Sequence, residues 1–294
     1  MTVTDQDWLA TRFEEHRPHL RAVGYRMLGS LSEADDAVQE AWLRLSRTDT
    51  SAVENLGGWL TTVVARVALN MLRSRTTRRE QPLDVHVPDP VVDPVDGTNP
   101  EHEALLADSV GLALLVVLET LPPPERLAFV LHDMFAVPFS EIGAILERSP
   151  DAARQLASRG RRRVRGGAPS PDPDLGAQWE AVEAFLAAAR DGDFERLVAV
   201  LDPDVVLRAD GGLTGLSHRV QGAETVASQA LMFSRVDLTV RRALINGAAG
   251  MVSLRGGRLF SVGAVTVRNG RIVEIDILAD PERLAGLDLA VLDD

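Results

Sequence analysis

Over residues 10–80 apolar side chains recur three and four positions apart, in Leu20, Val23, Met27 and Leu28 and again in Val38, Trp42, Leu43 and Leu45. That spacing lines one stripe of a helix and predicts a small bundle of amphipathic helices. Ser32-Glu33-Ala34-Asp35 has the form of a capping box and marks the start of the second helix, and a third covers about 56–75. A second helical stretch runs over about 102–165. Its first, apolar helix stops before Pro122-Pro123-Pro124, and further helices are predicted over 126–132, 138–147 and 150–165. Beyond residue 176 the period changes. Two helices at 177–190 and 194–201 and a third near 223–234 accompany strand-like alternation at 238–244, 250–254, 260–268 and 272–278. Asn269-Gly270 between the last two runs is a strong hairpin signal. The fold class expected is therefore multidomain, with two all-α modules followed by one α+β domain.

Proline punctuates this pattern twice. The stretch 81–100 holds Pro82, Pro88, Pro90, Pro94 and Pro100, and 166–174 holds Pro169, Pro171 and Pro173. Such segments are extended and poor at joining a core, so they read as linkers. The organisation expected is a helical module at 1–80, a linker at 81–104, a second helical module at 105–165, a linker at 166–175 and the α+β domain at 176–294. A length of 294 residues suits two or three such modules.

Composition narrows the chemistry. There is no cysteine, which excludes disulfides, thiolate nucleophiles and Cys-ligated metal centres. No run of about 18 apolar residues occurs and residues 1–9 are polar and acidic, so no membrane span or secretion signal is read, and a cytoplasmic location without a membrane partner is expected. The formal charge of −12 first argues against a phosphate-bearing partner. Division by segment changes that: 1–80 is neutral and 105–168 is +1, whereas 81–104 carries −6 and 169–294 carries −7. The acid lies in the first linker and the last domain, where it can repel phosphate or shield an arginine-rich surface. All 31 basic residues are arginine.

The sharpest local motif is at 138–165. Phe139–Leu146 forms a short helix, Glu147-Arg148-Ser149 a turn, and Ser149-Pro150-Asp151 supplies an N-cap, a first-turn proline and an acid for the next helix. This is helix-turn-helix spacing. Ala152, Ala153, Leu156 and Val164 can face inward, leaving Arg154, Gln155, Ser158, Arg159, Arg161 and Arg162 as a polar surface suited to base edges and phosphates. An ordinary helical hairpin whose arginines complement the helix dipole has the same spacing.

Leu121-Pro122-Pro123-Pro124-Glu125-Arg126, Glu141-Ile142-Gly143-Ala144-Ile145-Leu146 and Ala153-Arg154-Gln155-Leu156-Ala157-Ser158-Arg159-Gly160-Arg161 together resemble region 4 of extracytoplasmic-function sigma factors. The first module agrees: 33–42 resembles region 2.2, and 59–70 with Arg73, Arg75, Arg78 and Arg79 resembles regions 2.3 and 2.4. Two motifs in family order are far more specific than either alone. The resemblance implies two partners, the RNA polymerase core, through its β′ clamp helices and β flap, and promoter DNA. It assigns core binding to Asp35, Asp36, Gln39 and Glu40, whose plainer reading is a solvated acidic face. It places Asn70 on the flipped minus-10 base, with Arg66, Arg73, Arg75, Arg78 and Arg79 along the single strand. Trp59 reads as a core residue near that site. The minus-35 element falls to Arg154, Gln155, Ser158, Arg159, Arg161 and Arg162.

The α+β domain is similar to a SnoaL-like, NTF2-type cone, which is seen fused to sigma factors of the ECF41 and sigma-J-like groups. Val87-Pro88-Asp89-Pro90, Asp210-Gly211-Gly212 and Asp280-Pro281-Glu282-Arg283-Leu284 resemble three signatures of those groups, with departures at His86, Val87, Leu213, Thr214 and Asp280. The resemblance implies interdomain regulation through Val87, Pro88, Asp89, Pro90, Asp210, Gly211, Gly212, Asp280, Pro281 and Leu284, in place of a separate anti-sigma protein. A cone of this type can hold a small-molecule ligand. Asp210, His218, Asp237 and Asp276 are the acid/base candidates in it, but they show no paired spacing, so no catalytic residue, cofactor or metal is expected. The function this implies is to direct bacterial RNA polymerase to promoters, tuned by the fused domain. A ligand-responsive helix-turn-helix repressor, or a SnoaL-type isomerase or hydrolase with a DNA-binding appendage, are the alternatives.

Overall fold

A computed structural model describes residues 3–48, 53, 55–77, 85–97, 102, 105, 111–167, 169, 171–212 and 217–287. The chain divides into two compact units, one drawn from Met1–Gln81, Pro100–Asp108 and Val117–Gly167, the other from Pro82–Asn99, Ser109–Val116 and Ala168–Asp294.

In the first unit α1 (Val3–Leu28) packs on α2 (Leu31–Leu45) and α3 (Leu56–Thr77). Leu20, Val23, Met27, Leu28, Val38 and Leu45 are all buried, as their spacing requires. Leu43 departs from that stripe and is 40% exposed, while Trp42 packs against Phe13 at 5.1 Å between ring centroids. The start of α2 is also corrected. Ser30, not Ser32, is the N-cap, and its Oγ accepts from the Glu33 N–H at 3.4 Å. An N-cap needs extended backbone, which Ser30 has immediately after left-handed Gly29, whereas Ser32 already lies inside the helix.

The second helical module opens with α4 (Leu112–Glu119), and α5 (Pro123–Phe129) passes into a π-helical turn over Val130–Met134. α6 (Phe139–Leu146) and α7 (Pro150–Gly167) form the helix-turn-helix. Its turn rests on two backbone devices. Glu147 adopts the left-handed conformation at φ 55°, and the Arg148 N–H returns to the Gly143 carbonyl at 2.9 Å. Gly143 is needed there because a Cβ would lie 2.7 Å from the Arg148 carbonyl oxygen. Gly160 gives α7 similarly close packing, since its Cβ would sit 3.0 Å from that of Phe129 on α5. Arg126 is buried and donates from Nε to the Arg26 carbonyl at 3.3 Å, and burial lowers its pKa to about 10.

The second unit is a seven-stranded sheet under helices. Its elements are β1 (Val92–Asp93), α8 (Leu175–Asp191), α9 (Phe194–Val200), β2 (Leu201–Asp210), β3 (His218–Gln221), α10 (Ala223–Phe233), β4 (Thr239–Ile245), β5 (Ala248–Arg255), β6 (Arg258–Arg268), β7 (Arg271–Leu278) and α11 (Pro281–Ala285). The strand order is β1-β4-β5-β6-β7-β2-β3, antiparallel except for β2 against β7. Val182, Phe185, Leu197, Val205, Val226 and Ile275 belong to the core between helices and sheet. Asn246-Gly247, Gly256-Gly257 and Asn269-Gly270 each link successive strands with positive φ at both positions, the type I′ geometry that matches strand twist. Asp172 joins the last of these turns, its carboxylate accepting from the Asn269 and Gly270 N–H groups at 2.9 and 3.0 Å.

The expectation that the first proline-rich stretch stays out of a core is corrected. It is extended, but Val85, Val87, Val91 and Val92 are buried, and β1 pairs with β4 at the sheet edge. Proline excludes helix here without excluding apolar burial, and valines at 85, 87, 91 and 92 supply the apolar side chains.

Candidate nucleic-acid interface and linker clasp

The N-terminus of α7 is capped as its sequence requires, with Ser149 Oγ accepting from the Ala152 N–H at 3.2 Å. Ala153, Leu156, Ala157 and Gly160 face inward. The expected DNA-facing set divides in two. Arg154, Gln155, Ser158 and Arg162 are exposed, and Arg154 lies beside Asp151 at 2.8 Å and over the Phe139 ring at 5.4 Å. Arg159 instead donates to Glu125 at 2.9 Å, and Arg161 to Asp133 at 2.6 Å. Arg163, absent from the sequence reading, is the second cation on Glu125, at 3.1 Å. Its position four residues after Arg159 was the available signal.

On α2, Asp35, Asp36 and Gln39 are exposed and Glu40 is half-buried. Asp35 pairs with Arg21 at 2.8 Å and Glu40 with Arg44 at 2.8 Å, and exposed Leu43 continues the Asp36 and Gln39 face one turn later.

Asn70 is exposed on α3 and lines a recess of about 310 Å³ with Glu40, Arg44 and Arg75. Arg75 is half-buried against Glu33, Arg73 is exposed, and Arg78 and Arg79 lie outside the described residues. Arg66 is not in that recess. With Trp59 it lines a larger cleft of about 740 Å³, shared with Arg44, Arg47, Asn55, Thr62 and Glu141 of α6. Trp59 is half-buried at this wall rather than a core residue. Arg44, Arg47, Asn55 and Thr62 were missed, because they come from the end of α2, the following loop and α3, which only folding brings together. Three arginines beside an aromatic wall suit a phosphate backbone with a stackable base.

In the second unit the three short signatures converge. Asp210 ends β2, and its Oδ2 accepts from the Val87 N–H at 3.0 Å and from Arg283 at 2.9 Å, with His86 Nδ1 at 3.3 Å. Its Oδ1 accepts from the Gly212 N–H at 3.1 Å. Arg283 on α11 also donates to Asp89 at 2.8 Å and to the Val87 carbonyl at 2.6 Å. Burial alone would raise the Asp210 carboxyl, but the bonds from His86, Val87 and Gly212 and the charge of Arg283 bring it down to about 2. Val87, Pro88, Asp89 and Pro90 are all buried, and the Val91 N–H donates to Asn246 Oδ1 at 3.1 Å. Gly212 has φ +68° and faces the Asp280 carboxylate at its α-carbon, where a Cβ would collide. Gly211 donates to Ser217 Oγ at 3.1 Å, Asp280 caps α11 ahead of Pro281, and Leu284 is buried. Arg283 is the hub. It was read only as one letter of a motif, because its partners are distant in sequence. This clasp also revises the charge argument, since Asp89 and Asp93 of the acidic stretch are buried rather than solvated.

The four acid/base candidates do not form one site. Asp210 belongs to the clasp, Asp237 is exposed, and His218 meets Gln229 at 2.9 Å. Asp276 is buried beside Arg208 at 2.8 Å, with Glu274 on the same guanidinium at 3.0 Å. Among the described residues no group of three or more His, Asp or Glu side chains is placed to hold a metal ion.

Residues 12–78 match the Sigma-70 region 2 model and residues 111–164 the Sigma-70 region 4 model. The ECF RNA polymerase sigma factor SigJ of Mycobacterium tuberculosis is 38% identical over 95% of this chain and 94% of its own. A second ECF sigma factor of that species, SigI, is 32% identical over 96% of this chain and 97% of its own. The crystal structure of M. tuberculosis SigJ superposes with a TM-score of 0.76 at 34% identity, covering 95% of this chain and 99% of that one.

Proposed function

Because this chain belongs to the extracytoplasmic-function RNA polymerase sigma factors, we propose that it carries promoter recognition and strand separation to the polymerase core in the cytoplasm, under control of its own C-terminal cone. The observation that carries the reading is the pairing of an exposed recognition face on α7 with a basic, aromatic-walled cleft on α2 and α3. The Asp36, Gln39 and Leu43 face of α2 is the surface offered to the β′ clamp helices, and the region 4 module docks on the β flap. The cleft at Trp59 and Arg66 and the recess at Asn70 receive the melted minus-10 strand. Arg154 and Gln155 read the minus-35 element in the major groove, with Arg162 on a phosphate. The cone performs no covalent chemistry and takes the place of a separate anti-sigma protein. It acts through the Arg283 clasp, which sets the path of the segment between the two DNA-binding modules.

The test is reconstitution with core polymerase on a library of promoters. Specific initiation from a defined minus-10 and minus-35 pair is expected. Failure to bind core would overturn the reading in favour of a repressor acting alone.

A further inference from the structure

An arginine that reads a base edge must present its planar fork in one orientation, yet an exposed arginine samples many rotamers. Arg154 is exposed, but its guanidinium is bounded on two sides. One is the Asp151 carboxylate at 2.8 Å, and the other is the face of the Phe139 ring, 5.4 Å from the centroid. The carboxylate holds it weakly. That pair is an i,i+3 contact with side chains 64% and 83% exposed, the class of ion pair that contributes least. The ring does more, because a cation within about 6 Å of an aromatic face is attracted over a broad, flat surface that fixes the plane of the fork.

Phe139 is itself held. Its ring stacks on the His132 imidazole with centroids 3.8 Å apart and planes at 30°. His132 lies in the π-helical turn, and its Nδ1 donates to the Val137 carbonyl at 3.1 Å, which fixes the plane of the imidazole. The wide turn and left-handed Ala136 (φ 53°) reverse the chain so that residues seven apart meet face to face. Phe139 is only half-buried, and the inward face of its helix is served by Ile142, Ile145 and Leu146. A phenyl ring at this position is therefore not accounted for by the core.

We propose that Phe139, backed by His132, is a positioning residue that presets Arg154 for base reading, so that discrimination at the base pair read by Arg154 depends on an aromatic ring on the preceding helix. This rests on the reading of α7 as the recognition helix.

The experiment uses full-length protein with core polymerase on a promoter panel differing at single minus-35 positions. Phe139→Leu is expected to lower the discrimination ratio at one position by about two- to five-fold, the range an exposed cation–π contact carries, with the salt dependence of binding unchanged. Phe139→Trp restores the ratio because it keeps the aromatic face. His132→Gln lowers it in the same direction by less. The inference is overturned if Phe139→Leu discriminates like the parent, or if the Trp and Leu variants lose equally, which would mark a packing role. Arg154→Ala separates the two levels. If it leaves discrimination intact, the recognition reading fails and takes this inference with it; if it abolishes discrimination while Phe139→Leu keeps the parental ratio, the inference alone fails.

Discussion

Arg283 joins a backbone carbonyl and two carboxylates through one side chain, and its charge is what permits Asp210 and Asp89 to be buried so close together. Replacement by methionine removes the cation and leaves both acids, so we expect the segment around Val87 to open about 100-fold more often, equivalent to about 3 kcal/mol. Amide hydrogen exchange at Val87 and Val91 measures this directly. Acid should act on the same clasp. Because the Asp210 carboxyl is lowered to about 2 in the folded chain, its contribution is fully present above the unfolded value near 4 and is lost as pH falls toward 2. The Asp210→Asn variant should flatten that part of the exchange profile. Asp276 runs the other way. Burial raises it to about 6 despite Arg208, while Glu274 adds to the rise. Its native form holds a proton that the unfolded chain has lost between about pH 4 and 6, so its neighbourhood is most stable at the acid end of that window and weakens as pH rises through it. Asp276→Asn should remove that slope from the exchange of β6 and β7 amides.

At the scale of elements, the helix-turn-helix depends on the close approach at Gly143. A methyl group there meets a backbone carbonyl, which cannot step aside as a flexible side chain can. Gly143→Ala should destabilise the turn by about 1–3 kcal/mol and weaken minus-35 binding, seen as a lowered melting temperature with a matching loss of promoter affinity. Helices and their caps were largely legible because their signals lie within four residues. The cap of α2 was misplaced by two because both serines precede the same acidic run, and only backbone φ distinguishes them. Turn chemistry was read at Asn269-Gly270, whereas Asn246-Gly247 and Gly256-Gly257, which adopt the same positive φ at both positions, were not read from the sequence. β2 was hidden for a physical reason. Pro203 and a register shift between Leu201 and Val206 break its alternation, and a bulge tolerates proline where a regular ladder does not.

For the whole molecule, the charge ledger that first argued against DNA becomes a matter of which acids remain in water. Part of the excess in the first linker is buried in the clasp, and Glu125 and Asp133 engage arginines of α7. Truncation after Gly167 removes β4, Asn246, Asp210 and Arg283 together, leaving Val87, Val91 and Val92 without their partners. We expect the truncated chain to be cleaved by protease within 85–93 where the full chain resists, and to initiate transcription with altered promoter dependence. Resistance equal to that of the full chain would mean that the clasp does not hold the segment.

The sequence alone determined what is set over short separations: helical periods, caps, the helix-turn-helix spacing and the order of two DNA-binding modules. The tertiary structure decided what depends on meetings between distant residues. Arg283 meets Asp89 across 194 positions, and Val91 meets Asn246 across 155. No periodicity records such a pairing, because it is specified by which sheet edge and which helix end the fold brings side by side.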